Sequence, residues 1–350
     1  MRLTEFKGKS NNLQLLKFLA AVFVVASHSF ALAAGSSENE WFMKLTDGAM
    51  SLGGAAVSVF FCAGGYFIAK SMNRVQNGVT YFKIRILRIF PCLMVVVFLS
   101  AFLLGPLVTE YSLSEYFKDT QVYRYLLNGV LLLQHNLPGV FRDNPYLPTV
   151  NGVLWTLPIE FLCYIACFVM WKLKFLEQKK CVFSIPLVIF GTLGIYFVAG
   201  KAGVSGLTPT IRPMLLFYMG ILFFVYRDKV IFKKSVFWWH MSALVLSVPL
   251  QLVNAAMVLC FPYILFYLCF AVKQVSEKVG NAGNISYGIY LCAYPIQQVI
   301  VWMHGDTMSP YWNTGMAIPF AVAGGYLLYR YIEKPLMNFK AALKGKNNSQ

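Results

Sequence analysis

Charged side chains are scarce in this chain, and acidic ones are the scarcest. Asp, Glu, Lys and Arg together make up 13% of the 350 residues, about half the share of a soluble domain. Only 14 acids stand against 30 bases, whereas 58% of the residues are hydrophobic and the mean hydropathy is +0.60. This composition leaves almost no sequence for a separate soluble domain. It predicts an all-α, polytopic integral membrane protein.

Cysteine spacings typical of metal sites are also missing. The eight cysteines lie in or beside apolar runs, and none forms a C-x-x-C pair. They are typical of small buried hydrophobic residues, so we expect neither a disulfide framework nor a metal site. Tandem repeats and low-complexity linkers are absent as well. We therefore predict a single transmembrane domain over residues 1–340, followed by a short polar cytoplasmic tail at 341–350.

Ten segments are apolar and approach the roughly 20 residues needed to cross a bilayer. They are residues 13–34, 51–70, 88–108, 152–171, 182–200, 211–226, 235–250, 252–272, 284–303 and 314–332. The apolar run at 125–133 is too short, and we assign it to a re-entrant or interfacial segment of a long loop. The basic start and Ala31-Leu32-Ala33 resemble a signal peptide, but the run between them is long enough to be a retained first span.

The basic residues predict the orientation of these spans. With the N-terminus in the cytoplasm, alternating spans place 24 of the 30 Lys and Arg residues on the cytoplasmic side. The opposite loops hold most of the acids. This distribution follows the positive-inside rule and predicts ten spans with both termini cytoplasmic. The same rule accounts for the net charge of +16, so we expect no nucleic-acid partner.

The first span carries Lys17 and His28. If it is one helix, the two residues are about three turns and roughly 16 Å apart on one face. Among the histidines, His28 alone lies deep in a predicted span, where an ionisable group is costly and indicates function. An imidazole takes a proton from a hydroxyl and returns it near neutral pH, which suits acyl transfer to an alcohol. The alternative is a histidine that only hydrogen-bonds a neighbouring helix.

Arg85 and Arg88 share one face of the helix that opens the third span. A pair of guanidinium groups at the cytoplasmic boundary suits phosphate binding. The alternative is simple positive-inside anchoring. Gly64 and Gly65, in the preceding FFCAGGYFI run, let a backbone or a ligand approach closely.

Glu160 is the acid that we place clearly within a span. It enters the membrane from outside, and we expect it to approach His28 and orient or charge the imidazole. The alternative is a structural carboxylate bonded to Tyr164 or to a backbone group.

Two further stretches favour structural roles when judged from the residues alone. Ser286, Tyr287 and Tyr290 on the ninth span suit core packing with interhelical hydrogen bonds. Glu333-Lys334-Pro335 ends the last span, and a proline that stops a helix beside charge at the membrane edge needs no further function.

Together, these stretches resemble the acyltransferase-3 family of bacterial integral-membrane acyltransferases. The matches run in the family's order: Lys17 with ten residues before His28, FFCAGGYFI, Arg85-x-x-Arg88-I-x-P, LWTLPIE, ISYGIYL and Glu333-x-Pro335. Two positions depart from the family pattern: Ala63 replaces a usual serine, and Ala293 stands where a histidine often occurs. The second departure puts more weight on His28.

The resemblance implies a membrane O-acyltransferase of the bacterial inner (plasma) membrane. It implies acetyl-CoA, or another acyl-CoA, as cytoplasmic donor and a cell-surface polysaccharide or lipid-linked sugar as acceptor. We expect no added esterase-like domain within this chain.

The implied roles are distributed over three groups of residues. Lys17, Arg85 and Arg88 would bind the donor, and His28 and Glu160 would be catalytic. Trp155 and Tyr287, within the matched motifs, are assigned to substrate binding.

Two other function classes remain open from the sequence. His28 and Glu160 fit the proton relay of a proton-coupled transporter or flippase equally well, although paired broken helices in matching halves are not evident. A structural membrane scaffold would need neither residue for activity.

Overall fold

The computed structural model describes residues 3, 12–202, 208–275 and 285–336. These ranges form helices, turns and loops without a β-strand, in agreement with the all-α prediction. The α-helices are α1 (Leu13–Ala34), α2 (Trp41–Leu45), α3 (Leu52–Val75), α4 (Gly78–Leu99), α5 (Gly105–Val108), α6 (Leu113–Lys118), α7 (Thr120–Tyr125), α8 (Thr156–Lys172), α9 (Gln178–Cys181), α10 (Ser184–Ala202), α11 (Thr208–Val225), α12 (Lys234–Leu246), α13 (Val253–Phe270), α14 (Ser286–His304) and α15 (Pro310–Leu328). The tail predicted at 341–350 lies outside the described residues.

Shorter helical turns complete the secondary structure. Two are 3₁₀ turns, at Leu126–Val130 and Gly152–Trp155, and two are π-helical, at Ser100–Leu104 and Tyr329–Glu333.

In the described part of the chain, six helical segments are long and apolar enough to cross a membrane. They are Leu13–Ala34, Leu52–Val75, Gly78–Val108, Gly152–Lys172, Gln178–Phe197 and Val253–Phe270. These six match the first five predicted spans and the eighth. The other four predicted spans coincide with α11, α12, α14 and α15, which are shorter or less apolar. The protein is therefore a helical membrane protein, while ten spans and cytoplasmic termini stay predictions.

The apolar run at 125–133 does not form a spanning helix. Its centre is the 3₁₀ turn Leu126–Val130, closed by the buried side chain of Asn128. The Asn128 amide donates to the carbonyl oxygens of Tyr125 (2.9 Å) and Gln134 (2.8 Å), and its oxygen accepts the Gln134 N–H at 2.9 Å. These bonds satisfy backbone groups that a regular helix would pair internally.

The helices fall into two compact units. The first consists of the described residues within Met1–Lys17, Val57–Tyr81 and Ile159–Asn281, and the second of those within Phe18–Ala56, Phe82–Pro158 and Ala282–Gln350.

In the first unit, α3 and α11 are in backbone contact. A Cβ atom on Gly65 would lie 1.8 Å from the carbonyl oxygen of Phe217, and one on Gly220 would lie 2.1 Å from that of Cys62. Only glycine permits this approach at both positions. The sequence predicted a close approach at Gly65, and the group that approaches is the backbone of α11.

The first unit also ties the start of α1 to the end of α13 through Asn12. The Asn12 side-chain amide donates to the carbonyl oxygens of Leu268 (3.1 Å) and Val272 (3.3 Å), and its oxygen accepts the N–H of Val275 at 2.9 Å. The last carbonyls of a helix have no partner within that helix. Asn12 therefore caps the C-terminal end of α13.

In the second unit, α14 and α15 pack through a pair of glycines. A Cβ atom on Gly288 would lie 2.7 Å from the Cα of Gly325 and 2.8 Å from its carbonyl oxygen. This short separation brings side chains of α14 and α15 into direct hydrogen bonding further along the two helices.

Candidate active site

The continuous helix α1 carries both Lys17 and His28, which confirms that the two residues share one helix. Each side chain is half-buried. Lys17 lies near Cys269 of α13, within the first unit. His28 belongs to the second unit, where its ring contacts α14.

The imidazole of His28 packs against the ring of Tyr294. The two ring centroids are 5.3 Å apart and the planes meet at 73°, an edge-to-face arrangement that aromatic pairs prefer. Tyr294 in turn lies against Gly152, where a Cβ atom would come within 2.7 Å of the tyrosine ring. The absence of a side chain at residue 152 thus makes room for Tyr294 beside His28.

A buried amide network holds the turn of α1 that presents His28. The amide nitrogen of Gln297 donates to the carbonyl oxygen of Val25 (2.8 Å) and to the hydroxyl of Ser29 (2.6 Å). The Ser29 hydroxyl donates to the side-chain oxygen of Asn313 at 3.0 Å. Gln297, Ser29 and Asn313 are all fully buried. Because Val25 and Ser29 flank His28 on either side in sequence, these bonds set the rotation of α1 at the imidazole.

A second buried amide on α14 pins the segment that leads into α8. The Gln298 nitrogen donates to the carbonyl oxygens of Leu147 (3.0 Å) and Thr149 (2.9 Å). Asn144 donates to the Gln298 side-chain oxygen at 2.7 Å, and Asn151 donates to the Leu291 carbonyl at 2.9 Å. The polar face of α14 therefore organises residues from both α1 and the segment before α8.

Arg88 forms an ion pair with Glu333. The guanidinium nitrogen lies 3.2 Å from the carboxylate oxygen, and the exposed fractions of the two side chains are 30% and 6%. Arg85, one turn earlier on α4, is buried. Sequence analysis assigned no partner to Glu333; in the structure its buried carboxylate, in the π-helical turn Tyr329–Glu333, binds Arg88.

Tyr287 and Tyr290 make the interhelical hydrogen bonds that the ninth predicted span suggested. The Tyr287 hydroxyl donates to the carbonyl oxygen of Ile89 at 2.9 Å. The Tyr290 hydroxyl lies 2.8 Å from the Thr156 hydroxyl and donates to the Val153 carbonyl at 3.1 Å. Tyr287 thereby joins α14 to α4, and Tyr290 joins it to the turn before α8.

Trp155 ends the 3₁₀ turn Gly152–Trp155 and is half-buried. Its neighbours in the chain, Val153 and Thr156, are the residues that Tyr290 holds. Substrate binding by Trp155 and Tyr287 stays a prediction.

Glu160 lies in the first unit and contacts the side chain one turn further along α8. The Tyr164 hydroxyl donates to its carboxylate, and the Tyr164 carbonyl accepts the Tyr81 hydroxyl at 3.0 Å. This bond is the contact expected if Glu160 is a structural carboxylate bonded to Tyr164. Because Glu160 and His28 belong to different units, their approach stays a prediction from the sequence.

The cysteines do not form a reactive cluster in the described structure. All eight are free thiols, and seven are buried. Within residues 12–202, 208–275 and 285–336, no three His, Cys, Asp or Glu side chains converge as metal ligands would.

Comparison with known families assigns the chain. The model of the acyltransferase-3 family, described as an acyltransferase domain, matches residues 10–330. The chain belongs to this family. An "O-acetyl transferase" of Shigella phage Sf6 is 29% identical over 306 residues, which cover 84% of this chain and 86% of the relative. "Nodulation protein 10" of Rhizobium leguminosarum bv. viciae is 26% identical over 367 residues, covering 96% and 95%. No solved structure matches.

As a member of the acyltransferase-3 family, the protein is an O-acyltransferase, as its motifs indicated. Three residues around the family motifs were missed by sequence reasoning: Glu333, Tyr294 and Gln297. Glu333 had a usable signal, because an acid at an otherwise basic membrane edge calls for a basic partner. Consecutive glutamines within an apolar helix were the corresponding signal for Gln297, since buried amides need hydrogen-bond partners.

Proposed function

We propose that this acyltransferase moves an acyl group, acetyl in the first instance, from cytoplasmic acyl-CoA to a hydroxyl of a cell-surface polysaccharide or lipid-linked sugar. The observation that carries the proposal is the fixed setting of His28. Its ring packs on Tyr294, and the helix turn that presents it is bonded to Gln297. A preorganised imidazole within an apolar helix is suited to proton transfer at a hydroxyl.

The proposed topology has ten spans with both termini in the cytoplasm of the inner membrane. The skew of 24 of 30 basic residues to one side supports it, because cytoplasmic loops are enriched in Lys and Arg. On this topology Lys17, Arg85 and Arg88 face the side from which acyl-CoA arrives.

In the proposed binding mode, Arg85 and Arg88 bind the phosphates of the donor and Lys17 assists. The Glu333 carboxylate lies 3.2 Å from the Arg88 guanidinium and leaves 30% of the Arg88 side chain exposed. The ion pair also restrains Arg88, and a restrained guanidinium loses less conformational entropy when it binds phosphate.

The proposed chemistry is a direct transfer. The acceptor hydroxyl gives its proton to His28, and its oxygen attacks the thioester carbonyl carbon. The carbon–sulfur bond breaks, and the departing CoA thiolate takes the proton from the imidazolium. Glu160 orients the imidazole, and Trp155 and Tyr287 contact the substrates. A two-step route, in which His28 carries the acyl group, uses the same residues.

The test compares release of the CoA thiol from acetyl-CoA by membranes containing wild-type protein, His28→Ala or His304→Ala. Loss of a general base costs on the order of 10²–10⁴ in rate, so His28→Ala should lose at least about 100-fold. The exposed His304, whose ring contacts the Asp306 backbone, is the matched control and should retain activity. Equal rates for wild type and His28→Ala would overturn the proposal.

The acceptor is tested separately, by mass spectrometry of surface polysaccharide from cells with and without the protein. The proposal expects added mass of one acyl group per modified sugar only when the protein is present. Acyl-CoA-independent, proton-coupled uptake into vesicles, with unmodified polysaccharide, would contradict it.

A further inference from the structure

A basic pocket lies in the first unit, where α3 ends and the chain leaves α11. Its volume is about 390 Å³, and its lining includes Lys70, Arg74 and Arg227. Among its described lining residues there is no acid. A volume of this size falls within the range of small-ligand sites. The pocket shares no residue with the Arg85–Arg88 pair or with His28.

The three cations converge although their charges repel. Lys70 and Arg74 are four residues apart on α3 and so occupy one face, where like charges oppose helix stability. Within the described residues, none of the three forms an ion pair with a carboxylate. Positive-inside anchoring needs basic residues on one side of the membrane, but it does not require them to surround one cavity. An anionic ligand would offset the repulsion.

Arg227 is held in a defined position within this pocket. Its guanidinium donates to the Phe224 carbonyl at 2.7 Å and lies 4.4 Å from the centroid of the Phe224 ring. That bond engages one of the five N–H donors of a guanidinium. The adjacent carboxylate of Asp228 accepts a hydrogen bond from Gln178. Arg227 is therefore a preorganised donor and not a mobile surface charge.

The other residues that line the pocket favour a phosphate-bearing organic ligand over a simple counterion. Phe67 and Phe224 form an apolar wall beside the cations, and Asn73 adds an amide. A restrained guanidinium with two further cations matches the oxygens and multiple charge of phosphate better than a monovalent ion. The apolar wall suits the organic part to which the phosphate is attached.

We propose that Lys70, Arg74 and Arg227 form a binding pocket for a phosphate-bearing organic anion, distinct from the donor contacts at Arg85 and Arg88. Two sources supply this chemistry: a soluble nucleotide and the headgroup of an anionic phospholipid. Both reach the side of the membrane on which these three residues are predicted to lie.

The experiment uses full-length protein in phosphatidylcholine nanodiscs and two probes. Adenosine 3′,5′-bisphosphate, measured by calorimetry, represents the soluble source. Phosphatidylglycerol, added in increasing fractions and counted by native mass spectrometry, represents the lipid source. The variants are Lys70→Gln, Arg74→Gln and Arg227→Gln. Because Lys70 and Arg74 are exposed, their substitution should leave folding intact, and an unchanged melting temperature verifies this.

Each variant should bind one of the two probes about tenfold more weakly, as expected for loss of one charge-assisted contact. Binding should also weaken as salt rises. Lys179→Gln removes an exposed lysine of the same unit outside the pocket and should bind like wild type. If the pocket variants bind adenosine 3′,5′-bisphosphate more weakly than wild type, the natural ligand is a soluble nucleotide. If they bind phosphatidylglycerol more weakly, it is a phospholipid headgroup. If wild type binds neither probe, or if the pocket variants equal Lys179→Gln for both, the proposal is wrong.

The measured quantity is binding, so the result does not depend on the proposed acyl transfer. If the protein transfers acyl groups but binds neither probe at this pocket, the pocket proposal is wrong and the proposed function is unaffected.

Discussion

The Arg88 guanidinium lies 3.2 Å from the Glu333 carboxylate, across 245 residues of sequence. Glu333 is buried, whereas Arg88 keeps partial access to solvent. The two charges therefore depend on their ion pair to different extents. A buried carboxylate depends on its partner, because removing one member of a buried pair leaves an uncompensated charge.

Arg88→Gln should therefore destabilise the protein by about 2 kcal/mol, less than for a fully buried pair because Arg88 is partly exposed. In the double variant with Glu333→Gln, the loss should be smaller than the sum of the two single losses, because the orphaned charge is gone. Unfolding of the purified protein in detergent, followed for all four forms, measures this coupling.

The ion pair between Arg142 and Glu110 serves as the control for that cycle. Its atoms are 3.8 Å apart and both side chains are about half exposed, so its coupling should be under about 1 kcal/mol. Additive losses for Arg88 and Glu333 would show that their contact contributes no stability.

The contact between Tyr294 and His28 predicts a positioning role for Tyr294. Tyr294→Leu removes the ring that packs on the imidazole and should lower kcat at least about tenfold, since small misplacements of a reacting group cost 10²-fold. Tyr294→Phe keeps the ring and should retain activity within about threefold. The split between kcat and KM, measured by release of CoA thiol, separates positioning from loss of binding.

Tyr311→Leu is the matched control for Tyr294. Tyr311 packs edge-to-face on Phe30 of the same helix α1 with a centroid separation of 5.6 Å, yet it is largely exposed. Its loss should leave kcat unchanged. If Tyr294→Leu retains wild-type kcat, the ring contact does not position His28.

Local spacing was sufficient to predict that Lys17 and His28 share a face of α1, because residues eleven positions apart lie on one face of any continuous helix. The close approach at Gly65 was also predictable, because a glycine has no Cβ atom to keep a neighbouring backbone away. The partner that approaches, α11, was not predictable, because periodicity identifies an apolar face and not the helix that covers it.

The sequence did not predict the roles of Tyr294 and Glu333 because their contacts are with residues far away in the chain. Tyr294 resembles any other aromatic residue of an apolar helix, and its role depends on Gly152, 142 residues earlier, leaving room beside it. Glu333 and Arg88 each have a local explanation at a membrane edge. Only the tertiary structure joins them, because ion pairs leave no periodic signature in a chain.

Gly152→Ala should disturb the contact between Tyr294 and His28 by pushing on the tyrosine ring. The added methyl group would lie 2.7 Å from the Tyr294 ring, and such overpacking costs about 1–3 kcal/mol. Activity should fall with stability, because the ring that moves is the one beside His28. Melting temperature and CoA thiol release test the two effects on the same preparation.

Gly315→Ala provides the comparison. Gly315 lies within α15 with open space around its Cβ position, so alanine should stabilise the helix by about 0.5–1 kcal/mol. Equal effects of the two substitutions would refute steric control at Gly152.

Glu40 predicts a pH dependence of stability. Its carboxylate is fully buried before α2 and accepts the N–H of Leu52 at 2.8 Å at the start of α3. Burial raises the pKa of the Glu40 carboxyl above its ordinary 4.5, and the bonds from Leu52 and Ser27 oppose that shift. A raised pKa favours folding at low pH, and this stabilisation is lost as the pH rises through the folded-state pKa.

Relative to wild type, Glu40→Gln should therefore gain stability as the pH rises above about 4.5, since glutamine keeps the acceptor oxygen without the charge. Glu115→Gln should behave oppositely. The capping bonds from Ser112 lower the pKa of the exposed Glu115 carboxyl, so its stabilisation is present at neutral pH and is lost on acidification. Melting temperatures of the three proteins from about pH 3 to pH 8 give both differences, since the Glu115 contribution is lost only below its ordinary pKa. Parallel curves for Glu40→Gln and wild type would show that Glu40 does not titrate in this range.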